Sequence, residues 1–298
     1  MKKKIFMVLS AVVVLAMGVL VVACSKDSNA LNPNEVISVE EVAPTQTLQK
    51  TNSAAEWAAF NLEIEKLNAK YLTPEVVGRA MLASKDSGTL SKKEKWQIVI
   101  EDLLGAIEGA GHGASLSAGN PWAIAGLAVV VGAARSIQKG LELTDSGCMV
   151  SINPLPSNDD LDSDSLANVI GERHNMIIVD IMNDITDIKN MSNSDLLCDL
   201  TNRYERLFGP LSNTIKSSLE SINIDTSHEI SMDLEQATAR YAEVIVELNT
   251  FEKHNYTEEY LEVIDATLAD SEEKTQMEAG IGTGYHSASL WEIEEQQP

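Results

Sequence analysis

The chain has 298 residues, 44% of them hydrophobic and 5% aromatic, with 45 acidic against 22 basic groups and a net charge of −23. So negative a surface repels phosphate backbones, which argues against a nucleic-acid partner, and it excludes a basic patch as the means of holding an anionic bilayer. Three cysteines in a chain of this length are too few for a disulfide framework.

Lys2, Lys3 and Lys4 open the chain, residues 5–22 form an almost unbroken apolar run, and small Ala23 precedes Cys24. That order of charge, apolar length and small residue is a secretory signal. The quartet Val21-Val22-Ala23-Cys24 resembles the lipobox of bacterial lipoproteins. The resemblance implies a signal peptide over residues 1–23 and acylation of the Cys24 thiol with palmitate-type chains. Each buried methylene contributes about 0.8 kcal/mol, so one chain holds a bilayer marginally and two or more hold it firmly. Ser25 resembles the outer-membrane sorting pattern, and Lys26-Asp27 resembles the charged export tags of some Gram-negative lipoproteins. An exported protein on the outer membrane follows from these likenesses, with the leaflet left open. An ordinary signal peptide cut elsewhere, or an uncleaved anchor, is the plainer alternative.

Residues 24–52 are rich in Ser, Asn, Thr, Pro and Glu and read as a lipidated cysteine on a flexible tether. A helical domain is expected over residues 53–268. Trp57, Phe60, Ile64, Leu67 and Tyr71 recur at helical spacing, and Thr73-Pro74-Glu75 restarts the chain with a cap, a proline and an acid. Ser91 and Glu94 match a capping box ahead of Trp96, Val99, Ile100, Leu103 and Leu104. Gly105, Gly109, Gly113 and Ser117 then fall four apart, beside a second row of Ala106, Ala110, Ala114 and Ala118. On a helix these rows make a smooth strip that admits another backbone. Asn120-Pro121 interrupts the run before an apolar stretch over residues 121–134, which predicts a Gly/Ala-rich central helical hairpin.

Residues 144–165 form a polar connection. Leu166, Val169, Ile170, Ile177, Ile181 and Ile188 predict one long helix, and Leu197, Leu200, Tyr204 and Leu207 another ending at Gly209-Pro210. Leu211, Ile215, Leu219 and Ile222 continue the spacing, and Leu234, Ala237, Tyr241, Val244, Leu248 and Phe251 form a seam of threes and fours. Leu261, Ile264 and Leu268 extend or follow it. Residues 269–298 read as a disordered acidic tail. The expected fold is all-α, a single helical bundle of six to eight helices.

Motifs for chemistry are few. An acidic loop from Asp160 has Ser165 and Gly171 where an EF-hand needs Gly and Glu, so it reads as a solvated turn. Gly171-Glu172-Arg173-His174-Asn175 resembles a Gly-x-x-His-Asn segment of uncharacterised Gram-negative lipoproteins that carry a Gly/Ala-rich stretch upstream. That family implies no activity. His174 is the one weak catalytic or ligand candidate, since imidazole titrates near neutrality, but a hydrogen bond between crossing helices with Gly171 making room is the simpler role. Asp180, Asp184 and Asp187 share a helical face that reads as solvated, and His228-Glu229 lacks the second His of a zinc site. No hydrolase, nucleotide or phosphate-loop motif is present, and no cofactor or metal is expected. Cys148 and Cys198 could form a bridge or remain free thiols.

The expected function is a lipid-anchored helical module of the cell envelope, bound to the bilayer through acylated Cys24 and engaging a protein or glycan. Alternatives are a membrane-active protein that inserts the hairpin, and a hydrolase or metal-dependent enzyme centred on His174.

Overall fold

The computed structural model describes residues 51–76, 91–117, 119–145, 161, 165–184, 188–224 and 230–291. All fall within one compact unit, Ala43–Pro298. Among them nine α-helices run in chain order: α1 Ala54–Tyr71, α2 Lys92–Ser117, α3 Pro121–Asp145, α4 Leu166–Asp184, α5 Asn193–Phe208, α6 Asn213–Ser221, α7 Met232–Ile245, α8 Thr250–Thr267 and α9 Glu272–Leu290. No β-sheet forms among the described residues, and the unit is a single all-α bundle. The signal segment, the tether up to residue 50 and Cys148 lie outside the described residues.

Local sequence sets most helix starts. Ser53, Ser192, Ser212, Ser231, Asn249 and Ser271 each accept a hydrogen bond from a backbone N–H three residues on, which satisfies one of the donors a helix start leaves open. Ser91 and Glu94 close their capping box reciprocally at the start of α2. Gly209 ends α5 with φ of 103°, a backbone region that disfavours residues bearing a Cβ.

Two elements differ from expectation. The seam through Phe251 is not one helix: α7 stops at Ile245, and the Asn249–Glu252 capping box starts α8 afresh. Phe251 then falls in the first turn of a new helix, 73% exposed. The larger correction concerns residues 269–298. Instead of a disordered tail, residues 272–290 form α9, whose Met277, Ile281, Leu290 and following Trp291 are buried. Its sequence carries Gly280, Gly282 and Gly284 with little apolar periodicity, because it is enclosed on several sides by small residues and backbone rather than along one greasy stripe. Ile293 lies outside the described residues. The tether boundary moves as well, since Asn52 is buried. Its backbone N–H donates to Glu273 Oε2 at 2.7 Å, its side chain donates to Ser271 Oγ at 2.7 Å, and Ala269 N–H donates to its Oδ1 at 2.9 Å.

Helices α2 and α9 divide the apolar interior into two bodies of different chemistry. On one side α3, α4, α5 and α6 supply mainly aliphatic groups such as Val130, Ile177, Leu200 and Ile215. On the other, α1, α7 and α8 bring Trp57, Phe60, Tyr241, Tyr256 and Tyr260 together, with edge-on ring contacts at 5.0–5.8 Å. The buried tyrosine hydroxyls are satisfied: Tyr256 donates to Asn68 at 2.8 Å, Tyr260 to the Ala237 carbonyl at 3.1 Å, and Tyr241 pairs with Thr257 at 2.7 Å.

Helices α2 and α3 make the most extensive helix–helix contact. A Cβ at Gly109 would lie 2.4 Å from the Leu127 carbonyl oxygen, and one at Gly113 would lie 2.6 Å from Ile124 Cα. At Gly105 it would meet Arg135 Cγ at 2.9 Å and Gly132 Cα at 3.0 Å. Ser117, last of the row, donates to the Gly113 carbonyl of its own helix. The α4–α9 crossing is equally close, with a Cβ at Gly282 falling 2.0 Å from the Ala167 carbonyl oxygen.

Gly109→Ala should therefore destabilise the domain by about 2 kcal/mol or more, because rigid backbone must move. Gly111→Ala meets only the flexible Gln276 amide, at 2.2 Å, and should change stability by less than about 1 kcal/mol, helped by helix propensity. Chemical denaturation of the two variants compares them directly. Truncation after Asp270 removes α9 and should abolish the cooperative unfolding transition, which circular dichroism on heating would register.

Candidate functional site

His174 lies on α4 at 0% exposure, and its surroundings are polar. Asp102 on α2, Ser136 on α3, Asn168 and Asn175 on α4, Ser287 on α9 and Trp291 just beyond it are buried with it. Four helices supply this polar cluster, and within it Asp102 Oδ1, Ser136 Oγ, Asn168 Nδ2, His174 Nε2 and Trp291 Nε1 are buried without a partner in hydrogen-bond geometry.

Asn175 organises one half. Its amide nitrogen donates to the His286 carbonyl at 2.8 Å, so its oxygen faces His174 Nδ1 at 3.1 Å. That assigns the imidazole proton to Nδ1 and leaves Nε2 an acceptor. His286 in turn places Nε2 2.8 Å from Asn168 Oδ1. Gly171 permits the arrangement, because a Cβ there would lie 2.3 Å from the His286 ring and 2.4 Å from the Gly282 carbonyl oxygen. The Gly171, His174 and Asn175 segment is thus a helix-crossing element.

Asp102 organises the other half. Its Oδ2 accepts from the Ser287 hydroxyl, and its Oδ1 stands 3.9 Å from His174 Nε2, beyond hydrogen-bond reach. Burial pushes the Asp102 carboxyl up to about 8, against partial opposition from Ser136, Ser287 and Trp291, which favour the charged form. Burial pulls His174 down to about 4, with the Asn175 contact opposing. His286 is likewise pulled down to about 4 by burial and by proximity to His174. At neutral pH the acid therefore keeps its proton and both imidazoles are neutral.

Serine, histidine and aspartate meet here without forming a nucleophilic relay. The serine hydroxyl donates to the Asp102 carboxyl group, no hydrogen bond joins the histidine to the serine, and all three side chains are buried. The hydrogen bonds of the cluster tie α2 to α9 through Asp102 and Ser287, and α4 to α9 through Asn168, Asn175 and His286. Three further ionisable side chains are buried, Arg135, Glu108 and Lys253. Arg135 pairs with Glu108 at 2.8 Å, and Lys253, which burial pulls down to about 7, donates to the Ala288 carbonyl at 3.3 Å.

Other sequence candidates lie apart from the cluster. Asp180 pairs with Arg203 and Arg206, while the side chain of Asp184 lies outside the described residues. Cys198 is an exposed free thiol. The acidic loop apart from Leu161, together with Asp187, His228 and Glu229, lies outside the described residues. Among the described residues no group of three or more His, Cys, Asp or Glu is placed to hold a metal. Surface grooves occur beside Leu116 and α6, and between α2, α3 and α7 around Trp96 and Lys139. Neither includes His174.

Sequence reasoning found His174, Asn175 and Gly171 but missed Asp102, Ser136, His286, Ser287 and Trp291. Asp102 carried a weak signal, as the second acid of the Glu101-Asp102 pair, directly before the apolar Leu103-Leu104. The α9 residues lay in the segment read as a tail. No family model, curated protein or solved structure matches the chain.

Asp102 gives the domain a defined pH response. Between about 3.8 and 8 the native state holds a proton that the unfolded chain releases, so this contribution to stability is full at the acid end and lost as pH rises. An asparagine in its place cannot titrate, and the amide carbonyl can still accept from Ser287. The stability of Asp102→Asn relative to wild type should therefore rise by about 1.4 kcal/mol per pH unit at most within that window, then level off. Urea titrations from pH 5 to 9 test it, and a difference independent of pH contradicts the neutral-acid assignment.

Proposed function

We propose that the chain is a lipid-anchored envelope protein whose helical domain acts as a binding or structural module held close to the outer membrane. The carrying observation is the coincidence of the basic start, the apolar run over residues 5–22 and the Val21-Val22-Ala23-Cys24 quartet. The acidity of the chain supports the same reading, because a surface of charge −23 needs acyl chains rather than basic groups to stay at a membrane.

The Gly/Ala-rich hairpin, formed by α2 and α3, serves in this proposal as the rigid centre of the module. Its apolar stretch Pro121–Leu143 is long enough to cross a bilayer and contains an 18-residue window of mean hydropathy 1.2, but 83% of that window is buried inside the bundle. Insertion would require the bundle to open and would carry Glu108, Arg135 and Asp102 into hydrocarbon, which is costly. A soluble scaffold on a lipidated stem needs no such rearrangement. The packed polar cluster supports a framework role over catalysis at His174, since a substrate has no route to a fully buried ring. The partner in this reading is a protein or glycan of the envelope.

Labelling cells with a palmitate analogue tests the anchor. Wild type should incorporate label and partition into detergent. Cys24→Ser should lose both and retain the unprocessed signal. Unchanged labelling in that variant refutes the proposal.

A further inference from the structure

Among the described residues three of the five arginines pair with carboxylates, and Arg240 donates to the Asn61 amide oxygen at 2.8 Å. Arg135 pairs with Glu108 at 2.8 Å, Arg203 with Asp199 at 2.6 Å and with Asp180, and Arg206 with Asp180. Arg173 is different. Among the described residues it meets no carboxylate, although the chain holds 45 acidic groups. Its guanidinium lies over Trp122 at 4.9 Å and over Phe208 at 4.9 Å, with the Tyr204 ring at 5.9 Å, and Nη1 donates to the Tyr204 hydroxyl at 2.8 Å. Three elements build this seat: the first turn of α3, the middle of α4 and the end of α5.

Stacking on aromatic faces fixes the plane of a guanidinium while leaving its N–H edge to hydrogen-bond. A cation so held has already lost its side-chain freedom, so an oxyanion that meets it orders little more. The Tyr204 hydroxyl accepts from Arg173 and orients its guanidinium, from a ring that is itself buried at 3% exposure. A phosphate, like a carboxylate, meets the guanidinium fork with two oxygens, and inorganic phosphate or a monoester adds a charge of about −1.5 to −2. The first turn of α3 holds no acidic residue to compete. Trp122 is 40% exposed, so the seat opens at the surface.

We propose that Arg173, seated between Trp122 and Phe208 beside Tyr204, forms a surface phosphate-binding site. The group recognised is a phosphate monoester, a diester or the inorganic ion. The site does not depend on acylation of Cys24 and can stand or fall separately from it.

Trp122 reports occupancy directly through its indole fluorescence. The purified full-length protein is titrated at constant ionic strength with inorganic phosphate, glycerophosphoethanolamine and acetate. Saturable change with a phosphate compound, weaker response to acetate, and affinity reduced about tenfold or more in Arg173→Met uphold the site. Trp122→Phe should remove the signal, which assigns it, and circular dichroism of Arg173→Met confirms that the fold is kept. A stronger response to glycerophosphoethanolamine identifies a lipid headgroup as the source, and a stronger response to inorganic phosphate identifies a soluble one. No saturable change with either compound, an equal response to acetate, or an unaltered titration in Arg173→Met overturns the proposal.

Discussion

Close approach of backbones without intervening side chains is the constraint on which the remainder of this bundle rests. Gly105, Gly109 and Gly113 bring α2 against α3, and Gly171 with Gly282 brings α4 against α9. Each of these glycines is costly in an isolated helix, by up to about 1 kcal/mol relative to alanine. The contacts they permit offset that cost through dense packing, since dispersion falls away within an ångström of optimal distance. The same contacts explain why helices with unremarkable amphipathicity are central. When a helix is surrounded, no polar face is required of it.

Tight packing also decides the state of the polar groups it encloses. Asp102, His174 and Ser287 are fully buried where three helices meet, so the uncharged form of each ionisable group is favoured. A neutral cluster with directional hydrogen bonds discriminates among registers in a way that interchangeable small apolar residues do not. Sliding α9 along α4 would separate Ser287 from Asp102 and His286 from Asn168 together. Small residues supply proximity, and the polar key supplies uniqueness.

The exterior follows a different logic. Ion pairs such as Lys70–Glu259 and Lys92–Glu247 join helices that are distant in sequence, yet as partly exposed pairs each contributes at most about 1 kcal/mol. In the proposed anchored state, the acidic surplus leaves attachment to the acyl chains rather than to basic groups. Against that background the aromatic seat of Arg173 is a local exception, a fixed positive group on a negative protein.

The sequence alone determined whatever depends on short-range spacing. The three-and-four periodicity of Trp57, Phe60, Ile64 and Leu67, the capping pair Ser91–Glu94 and the stop at Gly209 are interactions within a few residues, and they mark α1, α2 and α5 without reference to anything remote. His174 and Asn175 stood out because polar residues on an apolar face demand partners. Which partners they found was illegible, for His286 and Ser287 are more than a hundred positions away. Helix α9 was misread for the same reason: its glycines and small polar residues resemble a tail until other helices enclose them. Likewise, Arg173 looked like one more charged residue in a helix, since nothing local foretells that Trp122 and Phe208 will close over it. Tertiary structure decided those features because the energy that fixes them comes from surfaces that meet only when the chain is folded.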